Sequence, residues 1–164
     1  MFDSDLLRLA EEVLGKARAQ GLHIATAESC TGGLIAAVLT EIAGASDVFE
    51  HGFVVYSNRA KSGLLGVPEE LITNDGAVSE SVARAMAEGA IKQSAAQVAV
   101  SVTGIAGPGG GTAEKPVGLV HIAAAREGRQ TLHERLTFGD IGRSAIRIAS
   151  TEAALRLLLA SIAI

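Results

Sequence analysis

Short unbroken apolar runs alternate along this chain with segments whose apolar residues recur at helical spacing, and that alternation limits the folds open to it. From Asp3 to Gln20, Leu6, Leu7, Ala10, Val13, Leu14 and Ala17 share one helical face, and Gly21 can end the helix. Leu22–Thr26, Phe49–Tyr56 and Val98–Val102 read as strands, and Phe53, Val54 and Val55 run on as in a strand covered on both faces. Leu34–Ile42 reads as a helix, as does Glu80–Ser94 behind the N-cap Ser79. A short helix capped by Ser57 or Asn58 runs through Leu65 to Gly66. Val117–Ala125 and Thr131–Thr137 flank Glu127-Gly128 as an antiparallel hairpin. From Ile141 a long helix carries Ile148, Ala149, Leu155, Leu158 and Leu159 inward, with Glu152 and Arg156 paired outside. These elements predict an α/β fold, a three-layer α/β/α sandwich with a mixed, mostly parallel sheet, as a single domain over residues 1–164.

Such a sandwich needs helices that pack closely on the sheet, and the composition suits it. The chain has no Trp, one Tyr and four Phe against 19 Gly, so its core is built from aliphatic and small side chains. Ala83, Ala87 and Ala90 make a small-residue helix face available for close packing, within the chain or between subunits. Scarce aromatics and a net charge of −4 argue against a nucleic-acid partner. Cys30 is the only cysteine, and His23, His51, His121 and His133 show no metal-ligand spacing, so neither a disulfide framework nor a metal site is expected. The apolar tail Leu155–Ile164 is too short to span a bilayer and is broken by Arg156. With no secretory pattern at Met1–Ala10, a soluble cytoplasmic protein without a membrane partner is expected.

Three segments carry polar chemistry. Ser29 follows a strand and precedes a helix, the end of an open α/β sheet where ligands bind. Thr31, Gly32 and Gly33 come next, and their N–H groups and the helix N-terminus suit an oxyanion. The same run also reads as an N-cap cluster, with Cys30 either a rival nucleophile or, more commonly for such a residue, a small buried thiol. No histidine lies near Ser29 in sequence, so a base must come from elsewhere. Lys61, in the short helix after the second strand, can accept a proton if desolvation lowers its pKa; otherwise it is an exposed cation. Tyr56 can relay a proton or position that amine, or simply sit wet at the rim. The third segment, Thr103-Gly104-Ile105-Ala106-Gly107-Pro108 with Gly109-Gly110-Gly111-Thr112, is a glycine-rich loop able to approach an anion or to remain flexible. It is neither a P-loop nor a dinucleotide fingerprint. Lys115, Arg143 and Arg147 are the cations available for a phosphate.

Six ordered blocks together resemble the CinA C-terminal domain family. They are Ala27–Gly33; Gly44-Ala45-Ser46; Val55–Asn58 with Lys61; Gly76–Glu80; Thr103–Pro108 with Gly110-Gly111-Thr112; and Lys115–Gly118. The resemblance covers roughly Leu6 to Leu159 and is to the stand-alone form of the domain. It implies hydrolysis of the carboxamide of nicotinamide mononucleotide (NMN) to nicotinic acid mononucleotide and ammonia, with no metal or organic cofactor. It further implies a serine–lysine mechanism, which maps onto Ser29 and Lys61 with Tyr56 beside them, and a homo-oligomer. Thr31, Gly32, Gly33, Thr103, Gly104, Gly107 and Arg143 are then the expected substrate contacts. The family's Gly-Asp-Arg before the last helix reads Gly139-Asp140-Ile141-Gly142-Arg143 here, which keeps Arg143 in register only with two residues inserted. The competing reading is a nucleotide-binding module of the competence/damage-inducible type that holds its ligand without cutting it.

Overall fold

Apolar periodicity resolves into six helices and five strands in the computed structural model, which describes residues 1–164. In chain order these are α1 (Ser4–Ala19), β1 (Ile24–Glu28), α2 (Leu34–Thr40), a 3-10 turn at Ala45–Asp47, β2 (Phe49–Val54), α3 (Asn58–Leu65), α4 (Glu69–Asp75), α5 (Glu80–Lys92), β3 (Val98–Gly104), β4 (Leu119–Arg126), β5 (Leu132–Thr137) and α6 (Arg143–Ala163). Side chains that accept from the first helical turn fix three of the helix starts. Asp3 Oδ1 accepts from Leu6 N at 2.8 Å, Ser57 Oγ from Ala60 N at 3.0 Å and Ser79 Oγ from Val82 N at 3.3 Å.

The strands lie in the order β2-β1-β3-β4-β5. β1 is parallel to both β2 and β3, and β4 is antiparallel to β3 and β5, so β4 alone runs against the rest. From β1 the chain crosses to β2 on one side and then returns past β1 to β3. The carboxyl end of β1 is therefore the point where the topology reverses, the crevice at which open α/β sheets bind ligands.

Period-two alternation in the strands sorts the core into two layers. Val98, Val100 and Val102 of β3, with Val120 and Ile122 of β4, pack under α1, α2 and α6. Ala25, Ala27 and Ala99 meet Val82, Met86 and Ala90 of α5 on the other face. Ala83 and Ala87 press on Ala123 and Ala125 of β4. The small-residue face of α5 is thus consumed inside the chain, every alanine of it fully buried.

Three readings of burial change. β2 is an edge strand rather than one covered on both faces: only Phe53 is buried and Val54 is 51% exposed. On α6 the buried stripe runs Ile146, Ser150, Ala154, Leu158, Ile162 at strict i+4 spacing. That places Ile148 in solvent, not inward. The stripe contains Ser150, whose hydroxyl donates to Ile146 O at 2.6 Å, and this polar member hides the register from an apolar count. In α1, Leu9 is buried while Leu7 is only half so.

Candidate active site

Ser29 sits one residue beyond β1, stitched to both neighbouring strands. Its N–H donates to Val102 O at 3.0 Å, and Glu28 O accepts from Val55 N at 2.8 Å. The chain then turns sharply into α2. Ser29 O accepts from Gly32 N at 3.0 Å, and Gly32 and Gly33 take φ of 59° and 100°, backbone that glycine adopts without strain.

Lys61 reaches this turn from α3. Ser57 caps that helix and starts it at the end of β2, so Lys61 falls one turn in, on the sheet side. It is 2% exposed, and its Nζ donates to Ser29 Oγ at 3.0 Å and to Tyr56 O at 3.2 Å. None of the ion pairs in the chain involves it. Burial without a counter-charge holds its pKa below the ordinary lysine value. Burial pushes the adjacent Cys30 thiol up to about 11, so at neutral pH Cys30 stays protonated and is a poor nucleophile. A serine hydroxyl against a desolvated, unpaired amine is an arrangement able to activate that hydroxyl.

Tyr56 splits its two polar groups. Its carbonyl serves Lys61, while its hydroxyl, on a side chain at the rim of the cleft, accepts from Arg143 Nη2 at 2.9 Å. Arg143, the first residue of α6, also donates from Nη1 to Gly107 O at 2.8 Å. It therefore bridges β2's end and the glycine-rich loop across a cleft of about 200 Å³ that has Ser29, Cys30 and Lys61 in its wall. Gly104 also lines the cleft; a Cβ there would meet Val120 Cγ2 at 2.8 Å and Cys30 Sγ at 3.1 Å. Larger hollows over α3–α4 and between α1 and α6 contain neither Ser29 nor Lys61.

Ser29, Tyr56, Lys61, Thr103, Gly104 and Arg143 come together around this cleft; Gly107 meets it only through its carbonyl's bond to Arg143, and Thr31, Gly32 and Gly33 do not line it. The reason is Glu28, a fully buried carboxylate that the sequence reading did not single out. Its Oε2 accepts from Thr31 Oγ1 at 2.7 Å, Gly33 N at 3.1 Å and Ile35 N at 3.0 Å, and its Oε1 accepts from Ala36 N at 2.9 Å. The positive end of α2 is thereby satisfied internally. Cys30 and Thr31 donate their N–H groups to no backbone carbonyl, and Cys30 N–H faces its own thiol. An acid three residues before Thr31 and six before the first residue of α2 was the available signal.

The remaining polar residues of these segments brace walls. Thr103 Oγ1 donates to Ala77 O at 2.8 Å. Lys115 Nζ donates to Asp75 O, and to Val78 O at 2.8 Å, pinning the α4–α5 connection. Arg147 donates to Cys30 O and Thr31 O. Of the three cations noted in the sequence, Arg143 is the one in the cleft wall. No cluster of His, Cys, Asp or Glu in the chain could hold a metal ion, and no helix is long and apolar enough to cross a membrane.

Comparison with known proteins shows the family and the fold. The CinA C-terminal domain model matches residues 6–162. The nicotinamide-nucleotide amidohydrolase PncC of Escherichia coli is 50% identical over 159 residues, covering 96% of this chain and 95% of that protein. A CinA-like protein of Akkermansia muciniphila is 55% identical over 140 residues, 85% of this chain but 34% of that protein. The chain thus spans about a third of the length of these longer curated relatives. Among solved structures, the competence/damage inducible protein CihA from Agrobacterium tumefaciens superposes with a TM-score of 0.96 at 52% identity, covering 98% of this chain and 97% of that one.

Proposed function

The chain belongs to the CinA C-terminal domain family, and from that footing we propose that it is an amidohydrolase that converts NMN to nicotinic acid mononucleotide and ammonia by a serine–lysine mechanism. The observation that carries the mechanism is the 3.0 Å contact between Lys61 Nζ and Ser29 Oγ, made by a lysine with no carboxylate partner. The substrate class is supported by full-length similarity to a relative named for that reaction.

Lys61, in its neutral form, takes the Ser29 hydroxyl proton as Oγ attacks the carboxamide carbon. The negative charge that develops on the carboxamide oxygen needs a donor. Cys30 N–H suits the task, because Cys30 lines the cleft and its N–H meets only its own weakly accepting thiol, whereas Gly32 and Gly33 spend theirs on Ser29 O and Glu28. Lys61 then returns the proton to the amide nitrogen, the C–N bond breaks, and ammonia leaves. Water, deprotonated by the same amine, cleaves the ester and restores Ser29. Arg143 at the mouth is placed for the substrate phosphate, exchanging its bonds to Gly107 O and Tyr56 Oη for the anion. The reading carries with it a cytoplasmic homo-oligomer that uses no cofactor; sedimentation would test the assembly.

Ammonia release from NMN by the purified chain in EDTA, with nicotinic acid mononucleotide identified as co-product, tests the proposal. Stoichiometric release of both supports it. Binding of NMN without ammonia would transfer the lead to the nucleotide-binding module.

A further inference from the structure

Arg147 was one of the cations available for a phosphate, yet its guanidinium faces protein. Nε donates to Cys30 O and Nη2 to Thr31 O, each at 3.0 Å, so the planar fork grips two consecutive carbonyls. These are the two carbonyls inside the Ser29–Gly32 turn; Leu34 N also donates to Thr31 O at 3.2 Å, while Cys30 O accepts from Arg147 alone. The fit is close: a Cβ on Gly32 would stand 3.3 Å from Nη2. On the opposite side Glu28 holds Thr31 Oγ1 and Gly33 N, so the turn is clamped between a buried anion and a half-buried cation from different elements.

Peptide planarity gives the clamp a consequence for chemistry. In a trans peptide the C=O and the following N–H point in opposite directions. Ser29 O is turned toward Gly32 N, so Cys30 N–H points away from the turn. Gly32 N–H belongs to the same plane as Thr31 O, so rotation of that plane would release Ser29 O and let the Ser29–Cys30 plane, which carries Cys30 N–H, turn. Arg147 opposes the rotation by holding Thr31 O, and it holds Cys30 O in the plane between.

We propose that Arg147 is a positioning residue for Ser29, fixing the peptide planes after the nucleophile so that Oγ stays against Lys61 and Cys30 N–H stays free for the oxyanion. The proposal rests on the amidohydrolase reading for its catalytic readout. Arg147 does not line the cleft, so its loss acts on the chemical step and not on substrate capture.

The test compares wild type, Arg147→Lys and Arg147→Ala for kcat and KM with NMN, with melting midpoints recorded in parallel. In Arg147→Ala, kcat should fall about a hundredfold, the scale of a misplaced reacting group, while KM stays within about threefold of wild type. Added guanidinium should restore part of kcat to Arg147→Ala, and Arg147→Lys, which lacks the fork, should fall between. Unchanged kcat in Arg147→Ala, or a loss that only tracks the folded fraction and ignores guanidinium, would overturn the proposal. Should wild type prove inactive on NMN, that outcome counts against the amidohydrolase reading alone. The rate at which a fluorophosphonate labels Ser29 then decides: slower labelling in Arg147→Ala supports the positioning role, and equal labelling overturns it.

Discussion

Lys61 Nζ lies 3.0 Å from Ser29 Oγ at the end of a side chain that is 98% buried and has no counter-ion. Because desolvation lowers the lysine pKa, the neutral amine needed as a base becomes available below the ordinary value of 10.5. The pH profile of kcat/KM should rise with pH through this lowered value. Lys61→Arg keeps a permanent charge at the same place and should lose at least about a hundredfold in kcat. Stability should respond with the same sign. The unfolded chain holds the Lys61 proton to higher pH than the folded one, so this residue costs stability at neutral pH, and the cost shrinks as pH rises toward 10.5. Lys61→Met should therefore raise the melting midpoint at pH 7 while abolishing turnover.

Tyr56 serves Lys61 through its backbone and Arg143 through its hydroxyl. Tyr56→Phe removes only the second contact, so kcat should stay within a few-fold of wild type. Arg143→Ala should raise KM for NMN about tenfold or more, the worth of a charge-assisted bond to phosphate. Steady-state kinetics separate the two effects; a collapse of kcat in Tyr56→Phe would give the hydroxyl a direct role in proton transfer.

Gly104→Ala should both destabilise and inactivate. The added methyl would press on Val120, on Leu119 O at 3.0 Å and on Cys30 Sγ, next to the nucleophile. Overpacking of this kind costs about 1–3 kcal/mol. Urea unfolding and kcat measured on the same sample check the joint effect.

Acid should loosen the β4–β5 side of the sheet. His121 Nδ1 lies 2.9 Å from His133 Nε2, and Glu80 lies 3.6 Å from the far nitrogen of His133. Burial, then the charges of His133, Arg135 and Lys115, hold the His121 pKa down at about 4 against an ordinary 6.5, with Glu80 opposing. The unfolded chain therefore binds a proton that the folded chain refuses between these values. Stability should fall by about 2 kcal/mol from pH 7 to pH 5 on this account. In His121→Gln that slope in the urea midpoint should flatten.

The layered α/β architecture and the place of Ser29 at a strand end were legible in the sequence because both depend on local signals. Ser79 and Ser57 announce their helices, and the Leu22–Thr26 run places Ser29 at a strand end. Lys61 could be named as a base, but its burial depends on α3 folding back onto the end of β1, which no local pattern encodes. The same holds for Glu28. As one residue in an apolar strand it looks like a lapse in the pattern, and its purpose is visible only once α2 returns its N–H groups to it. β2 misled because Phe53, Val54 and Val55 are continuous in sequence, whereas coverage of a strand is decided by which strands and helices lie beside it. Arg143 and Arg147, one turn apart on α6, looked equivalent; one faces the cleft and the other the turn beneath it.

The central claim is that Ser29 and Lys61 act as one chemical unit, and the most direct measurement is kcat for NMN in Ser29→Ala, Lys61→Ala and the double variant, with NMN affinity measured by calorimetry. The account predicts that each single variant loses nearly all turnover, that the double variant loses no more, and that affinity stays within a few-fold of wild type. Turnover that survives in Ser29→Ala, or losses in the two single variants that multiply in the double, would contradict it.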